Sequence, residues 1–530
     1  MTPRIQFLGS KAFEFQYWPA ISTRQSIMES RMPCTETRQR VAVIVPQRRS
    51  WVWHQRIISA LQQSYEVDVY VSARAPNYPL SLRLWIRLET QLIGELDLVK
   101  IWTISTKSWS HFGNATYPLI LNLSEAPIND ADTLILEPRF EGSTDSLRLF
   151  AALLSRTNPY LSFHLAGQQE PIVASYLAIQ DRTVLIRGLR SSFARLVALA
   201  ERAARHLTQG SRAAILPEPA DTAPALSLAR MSSFVVRFIL HKLLGRLVRR
   251  FRLQEHWSIA LLWGDQLKIP RGVPLQEFVI LPDDRRRFYA DPFLFANEGQ
   301  KWLFVEEFDY QIGKGIISCT QLTIGEKTPS PTPVLVRPYH LSYPFVFQHG
   351  DAIYMIPETG SNRTVELYRA RSFPFDWTLC HILMDNVELY DATLLRHQDR
   401  WWIFGAVAHD GGSSQDELGV FYSDRLEGPW RPHRLNPVKS DCRSARPAGH
   451  IITSGDRLLR PAQDCEKRYG SAIVWFEIEE LTPDRFRESE VIRWPGNTGP
   501  NADGLHTFNC DGELGVIDTR RPIWKWPLQR

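Results

Sequence analysis

Five segments in the second half of the chain share one pattern, and this internal repetition constrains the fold more than any other sequence feature. Each segment has a short apolar strand, a polar turn and a second apolar strand. The segments are ADPFLFANEGQKWLFVEEF, SYPFVFQHGDAIYMIPETG, YDATLLRHQDRWWIFGAVA, RPAGHIITSGDRLLRPAQD and LHTFNCDGELGVIDTR. Because such units cannot bury their apolar faces alone, their recurrence indicates a repeat architecture in which neighbouring units pack together.

The spacing of the repeats matches a propeller. Successive repeats lie 52, 48, 56 and 59 residues apart, measured at Asp291, Tyr343, Asp391, Pro447 and His506. That length suits one four-stranded blade per repeat, and shorter strand-like segments such as KGIISCTQL and LGVFYSD lie between the repeats. The signatures typical of WD40 and kelch propellers do not recur in register. We therefore predict a five-bladed β-propeller over residues 255–530.

The first half of the chain has a different pattern, in which strand-like and helix-like segments alternate. RVAVIVPQ, EVDVYVSA, YPLILNLSE, ADTLILEP and YLSFHLAG are apolar runs typical of buried strands, whereas SLRLWIRLETQLIG and SSFARLVALAERAARHL have helical periodicity. This alternation predicts an α/β N-terminal domain with a parallel, doubly wound sheet over residues 40–228. We expect a poorly structured extension in residues 1–39. The fold class is thus an α/β N-terminal domain plus an all-β C-terminal five-bladed β-propeller.

The α/β segment lacks the usual ligand signatures of its class. No GxGxxG follows the first strand and no Walker loop is present, so a dinucleotide or ATP site of the common kind is not expected. The order of its elements resembles the N-terminal domain of formyltransferases. That resemblance implies an Asn-His-Asp constellation, for which Asn122 is the one candidate. The other interpretation is a degenerate scaffold.

A basic segment joins the two halves, and residues 229–254 are predicted to form an amphipathic linker helix. At 3.6 residues per turn, Phe234, Ile239, Leu243, Leu247 and Phe251 fall on one side, opposite much of the basic charge. This profile is typical of a helix that lies on a membrane surface, here through residues 234–252. The alternative is a connecting helix that packs between the domains with a solvated basic face.

Composition and charge exclude several classes of protein. A chain of 530 residues exceeds one ordinary core, and its net charge of +5 argues against a nucleic-acid footprint over the whole molecule. The six cysteines include no CxxC pair, so we expect no disulfide framework, no metal site and no cofactor. No segment resembles a secretory signal or reaches 18 uncharged apolar residues. A cytoplasmic location, with peripheral membrane contact as a variant, fits best.

Polar residues recur where the inner strands of the predicted blades begin or end. In a propeller these positions converge on one end of the axis, which predicts a polar pocket of sugar size. Glu306 and Glu307 are adjacent on a strand, so one of them faces the channel, and we choose Glu307. The predicted catalytic residues are Asp291, Glu358 and Asp391, and the predicted substrate-binding residues are Glu307, His340, Tyr343, Arg446, Gln463, Asp464 and His506.

Each of these residues also has a structural interpretation. Asp291, which precedes Pro292, is also typical of a turn residue, although its recurrence as Asp391 favours a site. Arg446 together with Asp464 is also consistent with an ion pair between blades.

Several segments carry a family resemblance: FYADPFLF, FVEEFD, YHLSYPFVF, YMIPETGSNRTVELYRA, SARPAGH and RPAQDCEKRYG. From about Phe288 to the end, the chain resembles the propeller at the N-terminus of glucosamine inositolphosphorylceramide transferases and their bacterial relatives. The resemblance implies a fold shared with the five-bladed glycoside hydrolases. In those enzymes a blade-one Asp is base or nucleophile, a blade-three Asp tunes the acid, and a blade-four Glu is the general acid.

Two of these three roles carry over by position, to Asp291 and Asp391. At the place of the blade-four Glu this chain has Arg446, followed by Pro447. An arginine is not an acid near neutral pH, but its planar donors suit phosphate or carboxylate. This departure from the hydrolase pattern favours a transferase or phosphorylase that acts on a phosphorylated or nucleotide-linked sugar, with Glu358 or Asp464 as acid or base.

Three hypotheses for function follow. The first is a glycosyltransferase-like or glycosyl-hydrolase-like enzyme that acts on a phosphorylated or nucleotide-linked sugar in surface polysaccharide or glycolipid synthesis. The second is a non-catalytic propeller that binds glycan or protein. The third is a formyltransferase that acts on a sugar amine.

Overall fold

The computed structural model describes residues 38–46, 51–72, 76–94, 107–108, 117–128, 133–209, 225–250, 253–264, 269–271, 273–408, 412–499 and 502–524. Residues 1–39 form a separate unit from residues 40–530, and the predicted N-terminal extension lies almost wholly outside the described residues. None of the described helices is long and apolar enough to cross a membrane.

The described residues of the N-terminal part form seven strands and five helices. The strands are β1 (Arg40–Pro46), β2 (Glu66–Ser72), β3 (Lys107–Ser108), β4 (Leu119–Asn122), β5 (Leu134–Phe140), β6 (Tyr160–Leu165) and β7 (Pro171–Tyr176). The helices are α1 (Val52–Leu61), α2 (Leu80–Ile93), α3 (Leu147–Ser155), α4 (Leu185–Gln209) and α5 (Leu228–Arg250).

The seven strands form one sheet of order β3-β2-β1-β4-β5-β6-β7. Strands β1 to β5 pair in parallel, whereas β6 and β7 are antiparallel to their neighbours. The predicted fully parallel sheet is therefore wrong at this edge. For β7 the physical reason is the connection: a tight turn around Gly167, at φ +79°, joins it to β6, and so short a connection can join only antiparallel strands. For β6 the reason is different, because the connection from β5 contains helix α3 and its length alone would also permit a parallel strand.

The side chains of β1 belong to two different hydrophobic cores, because alternate residues of a strand face opposite sides of the sheet. Val41, Val43 and Val45 belong to a core that includes residues of all five helices. Ala42 and Ile44 belong to a smaller core to which none of the described helices contributes. Among the described residues, the helices thus pack in one core and not, as a doubly wound sheet requires, in two.

The C-terminal part contains twenty strands in five four-stranded sheets. The first four sheets are consecutive: β10 (Arg287–Asn297), β11 (Gln300–Asp309), β12 (Lys314–Leu322) and β13 (Thr332–Leu335); β14 (Ser342–His349), β15 (Ala352–Glu358), β16 (Thr364–Ser372) and β17 (Asp376–Asp385); β18 (Leu389–His397), β19 (Arg400–Val407), β20 (Leu418–Ser423) and β21 (Arg431–Pro432); β22 (Ile452–Ser454), β23 (Arg457–Asp464), β24 (Ala472–Leu481) and β25 (Phe486–Pro495). The predicted five-bladed β-propeller is confirmed.

The fifth blade closes the ring by combining the two ends of the propeller. It consists of β26 (Phe508–Cys510), β27 (Leu514–Trp524), β8 (Leu253–Trp263) and β9 (Val279–Ile280), in that order. β8 pairs with β27 along its full length, from Leu253 opposite Trp524 to Trp263 opposite Leu514. This closure joins the two ends of the propeller within one sheet. It explains why the last repeat supplies only two strands.

Buried ion pairs join the sheet domain to the propeller within residues 40–530. Arg195 of α4 lies 2.5 Å from Asp416 and also contacts Glu417, and all three side chains are buried. The backbone N–H of Tyr176 donates to the carbonyl of Ser440 at 3.0 Å. These contacts hold the propeller against the end of the seven-stranded sheet.

Candidate functional site

The inner strands of blades one to three break their ladder at the same place. Each has a β-bulge at the residue that the repeats align, and that residue adopts left-handed backbone angles: φ is +50° at Asp291, +44° at Tyr343 and +55° at Asp391. A left-handed non-glycine residue costs about 1–2 kcal/mol, so three at equivalent places require strong compensating contacts. These contacts lie around the propeller axis.

Arg446 of blade four is the cation of the site. Its Nε and one Nη donate to the two carboxylate oxygens of Asp391 at 2.6 and 3.0 Å, and the same Nη lies 3.3 Å from Glu358. Gln463 donates to Asp391 at 2.9 Å. All four side chains are buried, so this pair between blades three and four carries far more electrostatic energy than a surface pair.

Two glutamates beside this pair have pKa values raised by their surroundings. Burial raises the pKa of Glu358 well above its usual range, and the Asp391 carboxylate adds to the shift while Arg446 opposes it. Burial also raises the pKa of Glu306 well above its usual range, and the charges of Asp291 and Glu358 add to it. A neutral carboxylic acid next to ionised carboxylates is the arrangement that general acid catalysis needs.

Asp291 is the carboxylate of blade one. Its oxygens accept hydrogen bonds from the backbone N–H of Tyr343 at 3.2 Å and from the hydroxyl of Thr507 at 2.8 Å. Burial raises its pKa to about 6, and the negative charges of Asp391 and Asp518 add to the shift while the His506 cation opposes it. Asp291 therefore changes its ionisation state near neutral pH.

His506 and Asp518 form an ion pair next to Asp291. Nδ1 of His506 contacts an Asp518 oxygen, and its Nε2 lies 3.8 Å from Asp291. Burial alone would lower the pKa of His506, but the carboxylates of Asp518 and Asp291 outweigh it and raise the pKa. The ring also stacks on Trp257 at 4.0 Å. These contacts favour the charged form of the ring.

The ligating atoms of Asp291, His506 and Asp518 lie within 4.8 Å of one another, close enough to hold a metal ion. Asp518, however, already accepts hydrogen bonds from three backbone N–H groups, those of Asp291, His506 and Thr507, at 2.9–3.0 Å. A carboxylate with those partners and a histidine contact is satisfied without a cation. The arrangement suits a structural latch between the first and fifth blades.

Tyr343 lies at the centre of the propeller but has a packing role. Its hydroxyl contacts Thr393 at 2.8 Å, donates to the carbonyl of Gly449 and accepts from the Gly449 N–H at 2.8 Å. The side chain is fully buried, so it joins blades two, three and four. Gly449 itself has φ +125°, and a Cβ there would lie 2.0 Å from the Phe508 carbonyl oxygen, so no other residue fits.

Two of the predicted site residues lie elsewhere. Glu307 binds Arg287 at 2.5 Å and Ser318 at 2.7 Å, because it faces the opposite side of the strand from Glu306. Glu306 therefore replaces Glu307 in the channel. Asp464 pairs with Arg493 and accepts from the N–H of Glu466, so it stabilises the outer part of blade four.

His340 marks the side on which the cluster reaches solvent. Its Nδ1 accepts from the N–H of Gly315 at 2.9 Å, its Nε2 lies 3.4 Å from Glu306, and about a third of its side chain is exposed. Burial of the ring, followed by the charges of Arg446 and Lys314, lowers its pKa to about 4. A neutral His340 is thus placed to contact a substrate at the mouth of the channel.

Sequence reasoning missed three residues of the site. Tyr469 lies outside the five repeat segments, and its ring is 5.0 Å from the Arg446 guanidinium. Asp518 lies inside the fifth segment but was not selected. Glu306 had a usable signal: in the ungapped alignment of the first two repeats it stands opposite Glu358. The pairing confirms this register, because Glu306 lies opposite Ala290 and Glu358 opposite Ser342, each just before a bulge.

The sheet domain has its own polar cavity, of about 250 Å³, beside Asn122 at the end of β4. The Asn122 amide donates to the Ala126 carbonyl and to Glu137, both at 2.8 Å, and its oxygen accepts from the Ser124 hydroxyl at 2.7 Å. Burial raises the pKa of the neighbouring Glu125 to about 7. Asn122 is thus engaged in ordering its own loop, and these contacts give the formyltransferase hypothesis no support.

Comparisons with known proteins place the propeller in a family context. Residues 282–502 match the family model for glucosamine inositolphosphorylceramide transferase 1, N-terminal. Glucosamine inositolphosphorylceramide transferase 1 from Oryza sativa subsp. japonica is 35% identical over 208 residues, which are 38% of this chain and 28% of that protein. The protein of the same name from Arabidopsis thaliana is 34% identical over 226 residues, 42% of this chain and 29% of that protein. The match thus spans less than a third of these relatives.

Solved structures similar to this chain include glycoside hydrolases. Zg3597, a family 117 glycoside hydrolase from Zobellia galactanivorans, is 11% identical with a TM-score of 0.33, covering 50% of this chain and 90% of that one. Exo-β-1,3-galactanase from Phanerochaete chrysosporium is 12% identical with a TM-score of 0.31, covering 42% and 50%. Values this low support no argument about function. The resemblance of the chain from about Phe288 onwards to the N-terminal propeller of glucosamine inositolphosphorylceramide transferases is confirmed by the family match to residues 282–502.

Proposed function

We propose that the propeller channel is the acid–base site of a carbohydrate-active enzyme that transfers or hydrolyses a glycosyl group, with a phosphorylated or nucleotide-linked sugar as substrate. The observation that carries this proposal is that the buried carboxyl groups of the channel have different surroundings. Burial raises the pKa of Glu358 well above its usual range, whereas the pKa of Asp291 is raised to about 6 and Asp391 is paired with Arg446. Cleavage of a bond to an anomeric carbon needs one carboxylic acid and one carboxylate.

The reaction assigns one role to each group. Ionised Asp291 takes the proton of the attacking hydroxyl, whose oxygen forms the new bond to the anomeric carbon. The old bond breaks and leaves its electron pair on the departing oxygen. That oxygen takes the proton of Glu358 or, where it belongs to a phosphate, is stabilised by the charge of Arg446.

Arg446 has a donor to offer an anionic substrate. Two of its nitrogens hold Asp391 and Glu358, while Nη1 makes two longer contacts, both at 3.4 Å, with the carbonyl and hydroxyl oxygens of Ser414. A phosphate oxygen would displace these contacts at low cost because charge-assisted hydrogen bonds are stronger. The relatives' name, which joins glucosamine, inositolphosphorylceramide and transferase, supports a glycolipid context for such a substrate.

The test is turnover of a panel of nucleotide sugars, sugar phosphates and oligosaccharides by the full chain. We expect turnover with at least one substrate that carries phosphate, and about a hundredfold or greater loss in Asp291→Asn and in Glu358→Gln. Glu307→Gln is the matched control, since Glu307 faces away from the channel, and it should retain activity. Turnover that is equal in the native chain, Asp291→Asn and Glu358→Gln would contradict the proposal.

A second candidate is a non-catalytic propeller that binds a glycan. It is favoured by the environment of Asp291, both of whose oxygens already accept hydrogen bonds from the protein. It predicts no turnover of any substrate in the panel, together with sugar binding that Asp291→Asn leaves intact. Calorimetric titration of the same panel separates the two candidates.

A further inference from the structure

Exposed apolar side chains concentrate on two helices of the sheet domain. In the described part of the chain, seventeen large apolar side chains are exposed, and nine of them belong to α2 and α5. The other eight are spread over the sheet edge and the propeller. Scattered exposed apolar residues are normal, but a concentration of this kind marks an interaction surface.

Helix α2 is apolar on two opposite faces. Leu82, Trp85 and Ile86 are buried in the core of the sheet domain. On the opposite side, leucines recur every fourth residue and therefore lie above one another along the helix. These are Leu80, Leu84, Leu88 and Leu92, which are between 46% and 63% exposed. A surface helix that packs only inward would have polar residues at these positions.

Helix α5 has the same two-faced character, which corrects the face predicted from sequence. Phe234, assigned there to an exposed apolar side, is buried in the sheet-domain core together with Met231 and Phe238. The exposed apolar residues lie on the opposite side of the helix, where Leu243 is 70% exposed. The side chains of Leu247 and Phe251 lie outside the described residues.

The two stripes lie on helices whose buried sides touch each other. The Trp85 ring of α2 lies edge-on to Phe238 of α5, with centroids 5.2 Å apart, and 6.4 Å from Phe234. We call the two stripes together the α2–α5 face; its members are Leu80, Leu84, Leu88, Leu92, Val236, Ile239, Leu240 and Leu243.

The charges around the α2–α5 face are positive. Helix α5 contains no Asp or Glu, and the single acid of α2, Glu89, is fully buried, where it accepts hydrogen bonds from the backbone N–H groups of Leu185 and Ile186. Arg87 and Lys242, by contrast, are exposed. The partner of this face must therefore be both apolar and negatively charged.

A second copy of the chain does not fit that requirement. In a symmetric dimer built on this face, Arg87 and Lys242 of each copy would meet the same cations of the other, which is unfavourable. A bilayer with anionic headgroups supplies both an apolar layer and opposite charge. We propose that the α2–α5 face docks on the surface of an anionic lipid membrane, with both helices lying in the plane of the interface.

Vesicle co-sedimentation of the full chain tests this directly. We expect the chain to sediment with vesicles of phosphatidylglycerol and phosphatidylcholine in equal parts, and much less with phosphatidylcholine alone. Leu84→Gln combined with Leu240→Gln should weaken binding about tenfold or more, because two large apolar side chains leave the interface while helix propensity is kept. Arg87→Gln with Lys242→Gln should weaken binding to the anionic vesicles and reduce its salt dependence.

The matched control is Ile312→Gln with Ile324→Gln. It removes two isoleucines from the propeller that are exposed to the same degree as each other. It should bind as the native chain does, and the circular dichroism of every variant should match the native chain because the substituted side chains are exposed. Equal binding by the face variant and the control would overturn the proposal. So would the absence of vesicle binding, or a dimer in lipid-free solution that the face variant alone converts to monomer.

Discussion

The polar group at the end of the sheet and the cluster in the propeller channel satisfy their hydrogen bonds in different ways. Asn122 finds its partners within 15 residues along the chain, in Ser124, Ala126 and Glu137. Asp291 instead binds Thr507 and Asp518, more than 200 residues away. A locally satisfied polar residue orders its own loop, whereas one satisfied across blades depends on the whole ring. The difference teaches that the geometry of the channel depends on contacts between blades, whereas that of the sheet edge depends on one loop.

The largest effect is expected at the pair that joins blades three and four. Arg446→Met removes the cation from Asp391 and Glu358 and leaves a buried charge unpaired, which should cost about 3–5 kcal/mol of unfolding free energy. Denaturant unfolding measures it. The control Arg457→Met removes an exposed arginine that pairs with Glu477, and its unfolding midpoint should not change. Equal stability of the two variants would mean that the channel pair is no more important than a surface pair.

The next effect concerns backbone geometry at the axis. Gly449→Ala introduces a Cβ 2.0 Å from the Phe508 carbonyl oxygen at φ +125°, and we expect a loss of at least about 2 kcal/mol. Gly455→Ala is the control, because its φ of +60° is also positive but nothing lies within 4 Å of the added atom. Its loss should stay near about 1 kcal/mol. A thermal melt in which both variants shift equally would remove the argument for close packing at the axis.

The third effect is a change in pH dependence. The pKa of Asp291 rises from 3.8 to about 6 on folding, so the folded state holds this proton more tightly than the unfolded state. Its contribution to stability is complete below pH 3.8 and is lost as the pH rises through about 6. The stability difference between the native chain and Asp291→Asn should therefore fall over this interval, as measured by urea unfolding at a series of pH values.

Asp283→Asn supplies a control of opposite sign. Burial alone would raise the pKa of Asp283, but its contacts with His256 and Ser258 outweigh burial and lower the pKa. Its contribution is therefore present above pH 3.8 and is lost as the pH falls. If the stability differences of Asp291→Asn and Asp283→Asn changed with pH in the same direction, the assignment of opposite pKa shifts to the two carboxyl groups would be incorrect.

The smallest effect is expected at the sheet edge. Asn122→Ala removes hydrogen bonds to Ala126 and Glu137 beside an open cavity, where water can replace them, so the cost should be about 1 kcal/mol. Turnover by the propeller should be unaffected. A loss of turnover as large as that of Asp291→Asn would show that the two regions act together and would end the contrast between them.

Sequence reasoning predicted the propeller because its repeats are periodic and its inner strands carry Asp291 and Asp391 at matching positions. Asp adopts left-handed backbone angles more readily than most residues, but Tyr343 has the same angles, so they follow from the contacts of the closed ring and not from residue type alone. The choice between Glu306 and Glu307 depended on strand register, which a bulge shifts by one residue.

The fold of the first half of the chain was less predictable, because its sequence patterns indicate single strands and helices and not how they pair. The apolar runs of β6 and β7 read as buried strands, but an apolar run does not indicate the direction of its strand. The tight turn before β7 requires an antiparallel pair, whereas the helix-containing connection before β6 permits either direction. For α5, the helical period indicated an amphipathic helix, yet both sides of the described segment are apolar. The buried side is identified only by the packing of Phe234 and Phe238 against Trp85.

The central claim is that the channel holds a protonated glutamic acid next to ionised carboxylates near neutral pH. Infrared spectroscopy at pH 7 measures this through the carbonyl absorption of a protonated carboxyl group. Subtracting the spectrum of Glu358→Gln from that of the native chain should leave such a band. The same subtraction with Glu477→Gln should leave none, because Arg457 lowers the pKa of that exposed carboxyl. A native spectrum that loses only carboxylate absorption in Glu358→Gln would contradict the account.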